Sequence, residues 1–192
     1  ANDNSFIRSG GTRIGDVTYT KAGLPISQFY GYICDGLWKS QAEIDKVLYK
    51  NAGDAKVGRF RYRDLNGDGQ IDNNDETFIG SPLPTFIMGL NLTANYKNFD
   101  FTAYISGTYG FKLFNFVKYF THFNAFQRNR SKDFLYEAGK TLPVLDGGDN
   151  YSSQRSSFYV EDGSFTRLRN LQVGYSLPST SLKNLGLSRC RF

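Results

Sequence analysis

Residues 86–109 alternate between apolar and polar side chains, and this pattern constrains the fold more than any other feature of the chain. The alternation runs from Phe86 to Tyr96, is interrupted at Lys97-Asn98, and restarts from Phe99 to Tyr109. Successive side chains of a β-strand point to opposite faces of a sheet. The pattern therefore predicts two antiparallel strands joined by a very short turn, with one apolar and one polar face.

Other segments also have strand features, and the connections between them differ in length. The predicted strands are approximately 26–38, 86–96, 99–109, 164–177 and 187–192. If successive strands alternate in direction, the connections at one end of the sheet, 39–85 and 110–163, are long, and those at the other end are short. Long loops on one side and short turns on the other are typical of outer-membrane β-barrels, and a soluble sandwich has no reason to sort its loops in this way.

Both long connections contain a segment with helical features. Ser40 and Glu43 have the spacing of a capping box, which predicts a short helix from there through about Leu48. The aromatic stretch from Phe111 to Phe123 is amphipathic and is also predicted to be helical. The fold class expected is therefore all-β, with long loops that carry short helices.

An acidic loop lies inside the first long connection, at residues 64–75. Oxygen-bearing side chains occupy positions 1, 3, 5, 9 and 12 of this loop, and Gly69 occupies position 6, which is calcium-loop spacing. The predicted calcium ligands are Asp64, Asn66, Asp68, Gln70 through its carbonyl, Asp72 and Asp75. The alternative is a turn rich in Asn, Gly and Asp that stays metal-free, because no clear helix pair flanks the loop.

Composition and motifs exclude several classes of function. The formal net charge is +5, but the arginines are scattered, and Arg59, Arg61 and Arg63 are predicted to lie on a solvated face instead of binding nucleic acid. His122 is the single histidine, and no hydrolase, P-loop or dinucleotide motif is present, so an enzyme is not expected. Cys34 and Cys190 belong to no CxxC or metal pattern and are expected to be two isolated small hydrophobic residues, with a disulfide or a reactive thiol as the alternatives.

Several stretches together resemble the SusC/RagA family of TonB-dependent outer-membrane transporters. They are GLPISQFYGY (23–32), FRYRDLNGDGQID (60–72), TFIGSPLP (77–84), GLNL (89–92), YKNFDF (96–101) and VEDGSFTRLRNLQVGYSLP (160–178). They occur in the order of the family and cover nearly the whole chain.

This resemblance implies a segment from the C-terminal half of a barrel of about 22 strands in the outer membrane of a Gram-negative bacterium. Transporters of this family import glycan fragments or peptides, act with a SusD-like surface lipoprotein, contact outer-membrane lipids and are energised by the TonB complex. Neither a TonB box nor a plug domain is recognised among these residues, so the partners and the activity are expected of a longer parent protein.

Aromatic residues in the loops are candidates for contact with substrate or with the lipoprotein lid. They are Trp38, Phe111, Phe114, Tyr119 and Phe120. For the phenylalanine and tyrosine residues, packing within the loop is the alternative, and it is the more frequent explanation of such clusters. For Trp38 the alternative is a residue of the aromatic belt at the membrane interface.

Two functions from different classes remain open. The first is the transporter segment, whose apolar strand face meets lipid. The second is a soluble, calcium-stiffened, β-rich carbohydrate-binding module, in which a second sheet would have to cover that face.

Overall fold

A computed structural model describes residues 6–9, 17–47, 55–122, 131–144, 146–149 and 151–178. The chain forms two compact units. We call residues 1–83 with 112–162 the loop unit, and residues 84–111 with 163–192 the strand unit.

The described residues form eleven strands and three α-helices, numbered along the chain. The strands are β1 (Phe6–Ser9), β2 (Thr18–Lys21), β3 (Gln28–Tyr32), β4 (Cys34–Leu37), β5 (Phe60–Tyr62), β6 (Glu76–Gly80), β7 (Phe86–Tyr96), β8 (Phe99–Tyr109), β9 (Lys112–Phe114), β10 (Val160–Asp162) and β11 (Phe165–Tyr175), and the helices are α1 (Gln41–Ile44), α2 (Phe116–His122) and α3 (Phe134–Glu137). All strand ladders among these elements are antiparallel. The prediction of an all-β chain with short helices is confirmed. None of the described helices is long and apolar enough to cross a membrane.

The strand unit consists of a three-stranded sheet in the order β11–β8–β7, and each strand has 11 residues. Strands β7 and β8 have the bounds that the alternation predicts, and β11 starts and ends within two residues of its predicted range of 164–177. The turn between β7 and β8 places Lys97 in the left-handed region, with a φ of 53°. The predicted strand 187–192 lies outside the described residues.

One face of this sheet carries apolar side chains from all three strands. Three cross-strand rows make up most of it: Ala94, Phe101 and Val173; Leu92, Ala103 and Leu171; Leu90, Ile105 and Leu168. The register of β11 shifts between Leu168 and Asn170. Because the shift adds one residue, Leu168 and Leu171 share a face although they are separated by an odd number of positions.

The loop unit contains three small sheets, with strand orders β1–β2–β3–β6, β4–β5 and β10–β9. Its core is an aromatic and aliphatic cluster drawn from distant parts of the chain. The buried members are Tyr32, Leu37, Trp38, Ile44, Ala55, Phe60, Tyr62, Ile71 and Tyr159. Phe60 and Tyr159 are fully buried.

The single strand predicted at 26–38 is wrong, because two separate strands occupy this range. Strand β3 pairs with β6 and β4 pairs with β5, so the two strands belong to different sheets. The backbone N–H of Tyr32 donates to the carbonyl of Arg155 at 3.0 Å, which adds a contact from a distant loop at the point where β3 ends. A Cβ on Gly31 would lie 2.5 Å from that same carbonyl oxygen, so only glycine allows this approach.

Both predicted loop helices are shorter than the sequence suggests. Helix α1 ends at Ile44 and does not reach Leu48, and Ser40 makes no side-chain capping bond. The carboxylate of Glu43 accepts the N–H of Lys39 at 3.2 Å instead. In the aromatic stretch, residues 112–114 form β9, and helix α2 begins at Phe116.

We expect Phe60→Ala to lower the free energy of unfolding of this chain by about 3–5 kcal/mol, because it leaves a cavity in a fully buried position. Urea denaturation followed by the fluorescence of Trp38, the one tryptophan, measures this change. Leu135→Ala is the matched control, because Leu135 is 78% exposed and its loss should alter stability by at most about 0.5 kcal/mol. Equal effects of the two substitutions would contradict the placement of the core.

Candidate functional site

The acidic loop at 64–75 is ordered by hydrogen bonds from its own backbone. The two carboxylate oxygens of Asp64 accept the N–H groups of Gly67 and Gly69 at 2.7 and 2.8 Å. Asp68 accepts the N–H of Gln70 at 2.8 Å and the side-chain amide of Asn66 at 2.9 Å. Short polar side chains that bond to backbone two or three residues away are a local substitute for regular structure. This half of the loop is therefore a series of side-chain-stabilised turns.

Asp75 closes the loop from inside. Its side chain is fully buried, and its two oxygens accept the N–H groups of Leu65 and Asp72, each at 2.8 Å. The carboxylate of Asp72 in turn accepts the N–H of Asn74 at 2.8 Å, which caps the short 3-10 helix Asn73–Asp75. A buried carboxylate requires such donors, because an unpaired charge is costly away from water. Asp75 thus joins position 12 of the loop to position 2.

The loop has the left-handed glycine of calcium-binding loops, but its described side chains are not grouped as metal ligands. Gly69, at position 6, has a φ of 79°, as the sharp turn of such loops requires. Among the described residues, however, no group of three or more His, Cys, Asp or Glu side chains is arranged to hold a metal ion. The carboxylates are directed mainly to backbone N–H groups. The calcium site remains a prediction from spacing.

The aromatic residues predicted to contact substrate or lid occupy different environments. Trp38 is 4% exposed and belongs to the core of the loop unit. Phe114 is partly buried against the same core, with its ring centroid 5.6 Å from that of Tyr159. Phe111 lies in the strand unit, 6.3 Å from the ring of Phe165. These contacts favour packing as the role of all three side chains, and their contact with substrate or lid stays a prediction.

Two other predicted contact residues, Tyr119 and Phe120, lie on helix α2. Their side chains are outside the described part of the structure, so their role remains a prediction. Lys118 on the same helix donates to the carbonyl of Phe158 at 2.9 Å, and its ammonium lies 4.0 Å from the centre of the Phe158 ring.

Two arginines, the buried Arg59 and the half-buried Arg155, hold the second long connection to the rest of the loop unit, and no motif in the sequence indicates either role. Arg59 is 2% exposed, so the prediction of a solvated face is wrong for this residue. It donates to Asp146 at 2.5 Å and lies 3.6 Å from Asp149. Arg155 makes two contacts with the buried carboxylate of Glu76, at 2.5 and 2.8 Å. The only signal in the sequence was the Asp-Gly-Gly-Asp turn, which does not specify its partner.

Ion pairs and burial also set the ionisation of nearby groups. The bond from Arg59 lowers the pKa of Asp146 below its usual range. Arg63 holds Asp35 through two bonds of 2.6 and 2.9 Å, which lowers the pKa of Asp35. Burial raises the pKa of the Cys34 thiol to about 11, so it is protonated at neutral pH. Cys190 is outside the described residues.

Comparison with known proteins identifies similar sequences of known class. The chain is 34% identical over 180 residues to TonB-dependent receptor P26 of Formosa agariphila, which covers 91% of the chain and 17% of that receptor. It is 30% identical over 121 residues to TonB-dependent receptor SusC of Bacteroides thetaiotaomicron, covering 60% of the chain and 12% of SusC. The chain thus spans about a sixth of the length of the first of these receptors. No protein-family model matches it.

Solved structures show the same likeness. The RagAB peptide importer in its closed-closed state matches with a TM-score of 0.66 and 25% sequence identity. The match covers 91% of this chain and 19% of the importer chain. Both kinds of comparison therefore agree with the resemblance noted from the motifs.

We expect Asp75→Asn to lower the free energy of unfolding by about 1.5–3 kcal/mol, because an amide cannot accept two backbone N–H groups with both of its terminal atoms. Chemical denaturation in the presence of a chelator isolates this effect from any bound ion. Asp68→Asn is the matched control, since asparagine keeps the oxygen that accepts from Gln70, and water can replace the bond from the Asn66 amide at this exposed position. A loss no greater than that of the control would show that Asp75 does not close the loop.

Proposed function

We propose that this chain, a segment of a TonB-dependent receptor of the SusC/RagA family, supplies barrel wall and extracellular loops to an active transporter of the outer membrane. The observation that carries this proposal is the match to receptor P26 along 91% of the chain. On this proposal the parent protein resides in the outer membrane of a Gram-negative bacterium and imports glycan fragments or peptides. Its partners are a SusD-like surface lipoprotein and the TonB complex.

The strand unit supports the proposal through its dimensions and its faces. Strands of 9–11 residues are long enough to cross a bilayer at the usual tilt, and β7, β8 and β11 have 11 residues each. Leu92, Leu171 and Val173 on the apolar face are exposed, with Val173 at 65%. Exposed apolar bands of this kind meet lipid in outer-membrane barrels. The polar face carries Thr102, Asn170 and Gln172, as a lumen-facing wall would.

The connectivity supports the same topology. The first residue of β7 pairs with the last residue of β8, and Phe165 at the start of β11 pairs with Thr108. The two long connections therefore join the sheet at one end, and the Lys97-Asn98 turn lies at the other. In the proposed transporter the long connections are extracellular and the short turn is periplasmic.

Calcium is a second proposal, which concerns the acidic loop only. We propose that the loop binds calcium through Asp64, Asn66, Asp68 and the carbonyl of Gln70, completed by Asp72 and Asp75. Support comes from five oxygen positions in register and from the left-handed Gly69. The ion would cross-link turns that already fold by their own hydrogen bonds, so its role is to rigidify the loop.

The topology proposal predicts different accessibility for two inserted epitopes in the full-length receptor. An epitope after Gly67, which is exposed in the acidic loop, should bind antibody on intact cells. The same epitope between Lys97 and Asn98 should bind only after the outer membrane is permeabilised. Flow cytometry with a periplasmic protein as control measures both. Labelling of both sites on intact cells, or recovery of the receptor in the soluble fraction, would refute the proposed topology.

The calcium proposal predicts that calcium at about 100 times its dissociation constant stabilises the chain by about 2.7 kcal/mol. Extracellular calcium modules bind in the range of about 10⁻⁴–10⁻³ M, so a titration to 10 mM covers the lower part of that range. Calorimetric unfolding with calcium, with magnesium and with chelator measures the shift. Asp64→Ala should abolish the shift, whereas Glu137→Gln, which is outside the loop, should not. Identical responses to calcium and magnesium would count against a specific site.

A further inference from the structure

A cavity of about 660 Å³ lies in the loop unit beside Trp38. Three segments line it, within residues 35–43, 57–61 and 139–144, and we call it the Trp38 cavity. Its volume falls within the range of about 300–1,000 Å³ that is usual for small-ligand sites. It is separate from the acidic loop, none of whose residues line it.

Backbone hydrogen bonds between the three segments fix the walls of the Trp38 cavity. The N–H of Gly58 donates to the carbonyl of Trp38, and the N–H of Val144 donates to the carbonyl of Gly58, each at 2.9 Å. The backbone N–H of Trp38 donates to the backbone carbonyl of Arg59 at 2.9 Å. These bonds make the cavity a preformed feature of the loop unit, so a ligand need not order its walls.

Three glycines shape the walls. Gly36, Gly58 and Gly139 all line the cavity, and their φ angles are 107°, 85° and 76°. Side-chain-bearing residues rarely adopt these angles. A Cβ on Gly36 would meet no atom within 4 Å, so the space beside this glycine can be occupied by a ligand.

The charged side chains that line the Trp38 cavity leave an excess of positive charge. Lys39 and Lys140 are exposed and form no ion pair with any described residue. Arg61 donates to the backbone carbonyl of Asp35 at 3.3 Å, and its guanidinium carbon lies 5.9 Å from the centre of the Trp38 ring. Two acidic residues, Asp35 and Glu43, also line the cavity. The charge of Asp35 is already balanced by Arg63 at 2.6 Å, so only Glu43 offsets the three cationic side chains. A ligand with carboxylate groups matches this distribution.

The apolar part of the lining distinguishes a peptide from a sugar. Val57 and Val144 line the cavity and are 47% and 40% exposed. Trp38, the one aromatic residue among the described residues of the lining, is 4% exposed and faces Arg61. Sugar rings are bound mainly on open aromatic faces, whereas aliphatic side chains of a peptide pack against valines. The lining therefore favours a peptide.

We propose that the Trp38 cavity binds an acidic peptide segment of the imported substrate, whose carboxylates pair with Lys39, Arg61 and Lys140. The proposal rests on the proposed function in transport and adds a substrate class and a site to it. Arg61 is fixed by its contacts with Trp38 and Asp35, and the two lysines are long and adaptable. Binding should weaken as salt concentration rises, because the pairing is electrostatic.

Isothermal titration calorimetry on the purified full-length receptor tests the proposal with three probes. They are a hexapeptide of glutamate and alanine, its glutamine analogue with an amidated C-terminus, and a hexamer of galacturonate. We expect the acidic peptide to bind and the amide analogue to bind at least about tenfold more weakly. Lys140→Gln should weaken the acidic peptide roughly tenfold, and the Lys39→Gln/Lys140→Gln double variant should weaken it further.

Lys132→Gln is the matched control, because Lys132 is an exposed lysine that does not line the cavity. It removes the same charge and should leave the affinity unchanged. Equal binding of the acidic peptide to Lys140→Gln and to the wild type would overturn the assigned site. Binding of galacturonate but not peptide, or of neither, would overturn the ligand class. None of these binding results affects which epitopes are accessible on intact cells. Failure of the binding proposal can therefore be distinguished from failure of the proposed function.

Discussion

The loop unit depends on the burial of Phe60 and Tyr159 in one hydrophobic core. Both side chains are fully buried, and nearly 100 residues of sequence separate them. The ring of Phe158 lies 4.5 Å from that of Phe60, and the hydroxyl of Tyr159 donates to the carbonyl of Ser152 at 3.0 Å. Two long connections thus share one core. Without it, the apolar side chains of each connection would have no partners, and little would offset the entropy lost when so long a segment is ordered.

Arg59 and Arg155 specify how the second connection lies on that core. Arg59 pairs with Asp146, and Arg155 pairs with Glu76, so each pair joins the two long connections by a charged bond. Each pair has one buried and one more exposed partner, and such pairs add little net stability, since desolvation offsets much of the attraction. Removing one partner is nevertheless costly, because the other charge is then left without its bond. We therefore attribute to these pairs the alignment of the segments, and to the aromatic core the greater part of the stability.

The sequence predicted the strand unit well and the loop unit poorly, for a physical reason. Alternation between Phe86 and Tyr109 is a local signal, and a two-residue turn leaves only one register that keeps both apolar faces together. The division of 26–38 at Ile33 has a different origin. It follows from the separate partners of β3 and β4 and from the contact of Gly31 with Arg155, both of which are remote in sequence. The burial of Trp38 was equally unpredictable, because an aromatic residue type does not indicate whether the side chain contacts a ligand or packs in a core.

The acidic loop shows how far a motif alone can determine a site. Its spacing specifies where oxygen atoms occur along the chain, but their direction depends on competing donors. Asp75 lies at the position of a bidentate ligand, yet both of its oxygens accept backbone N–H groups from inside the loop. Those bonds restrain the backbone that carries Asp64, Asn66 and Asp68. A loop ordered in this way needs less rearrangement to receive an ion, and the ordering it already has limits how much rigidity an ion can add.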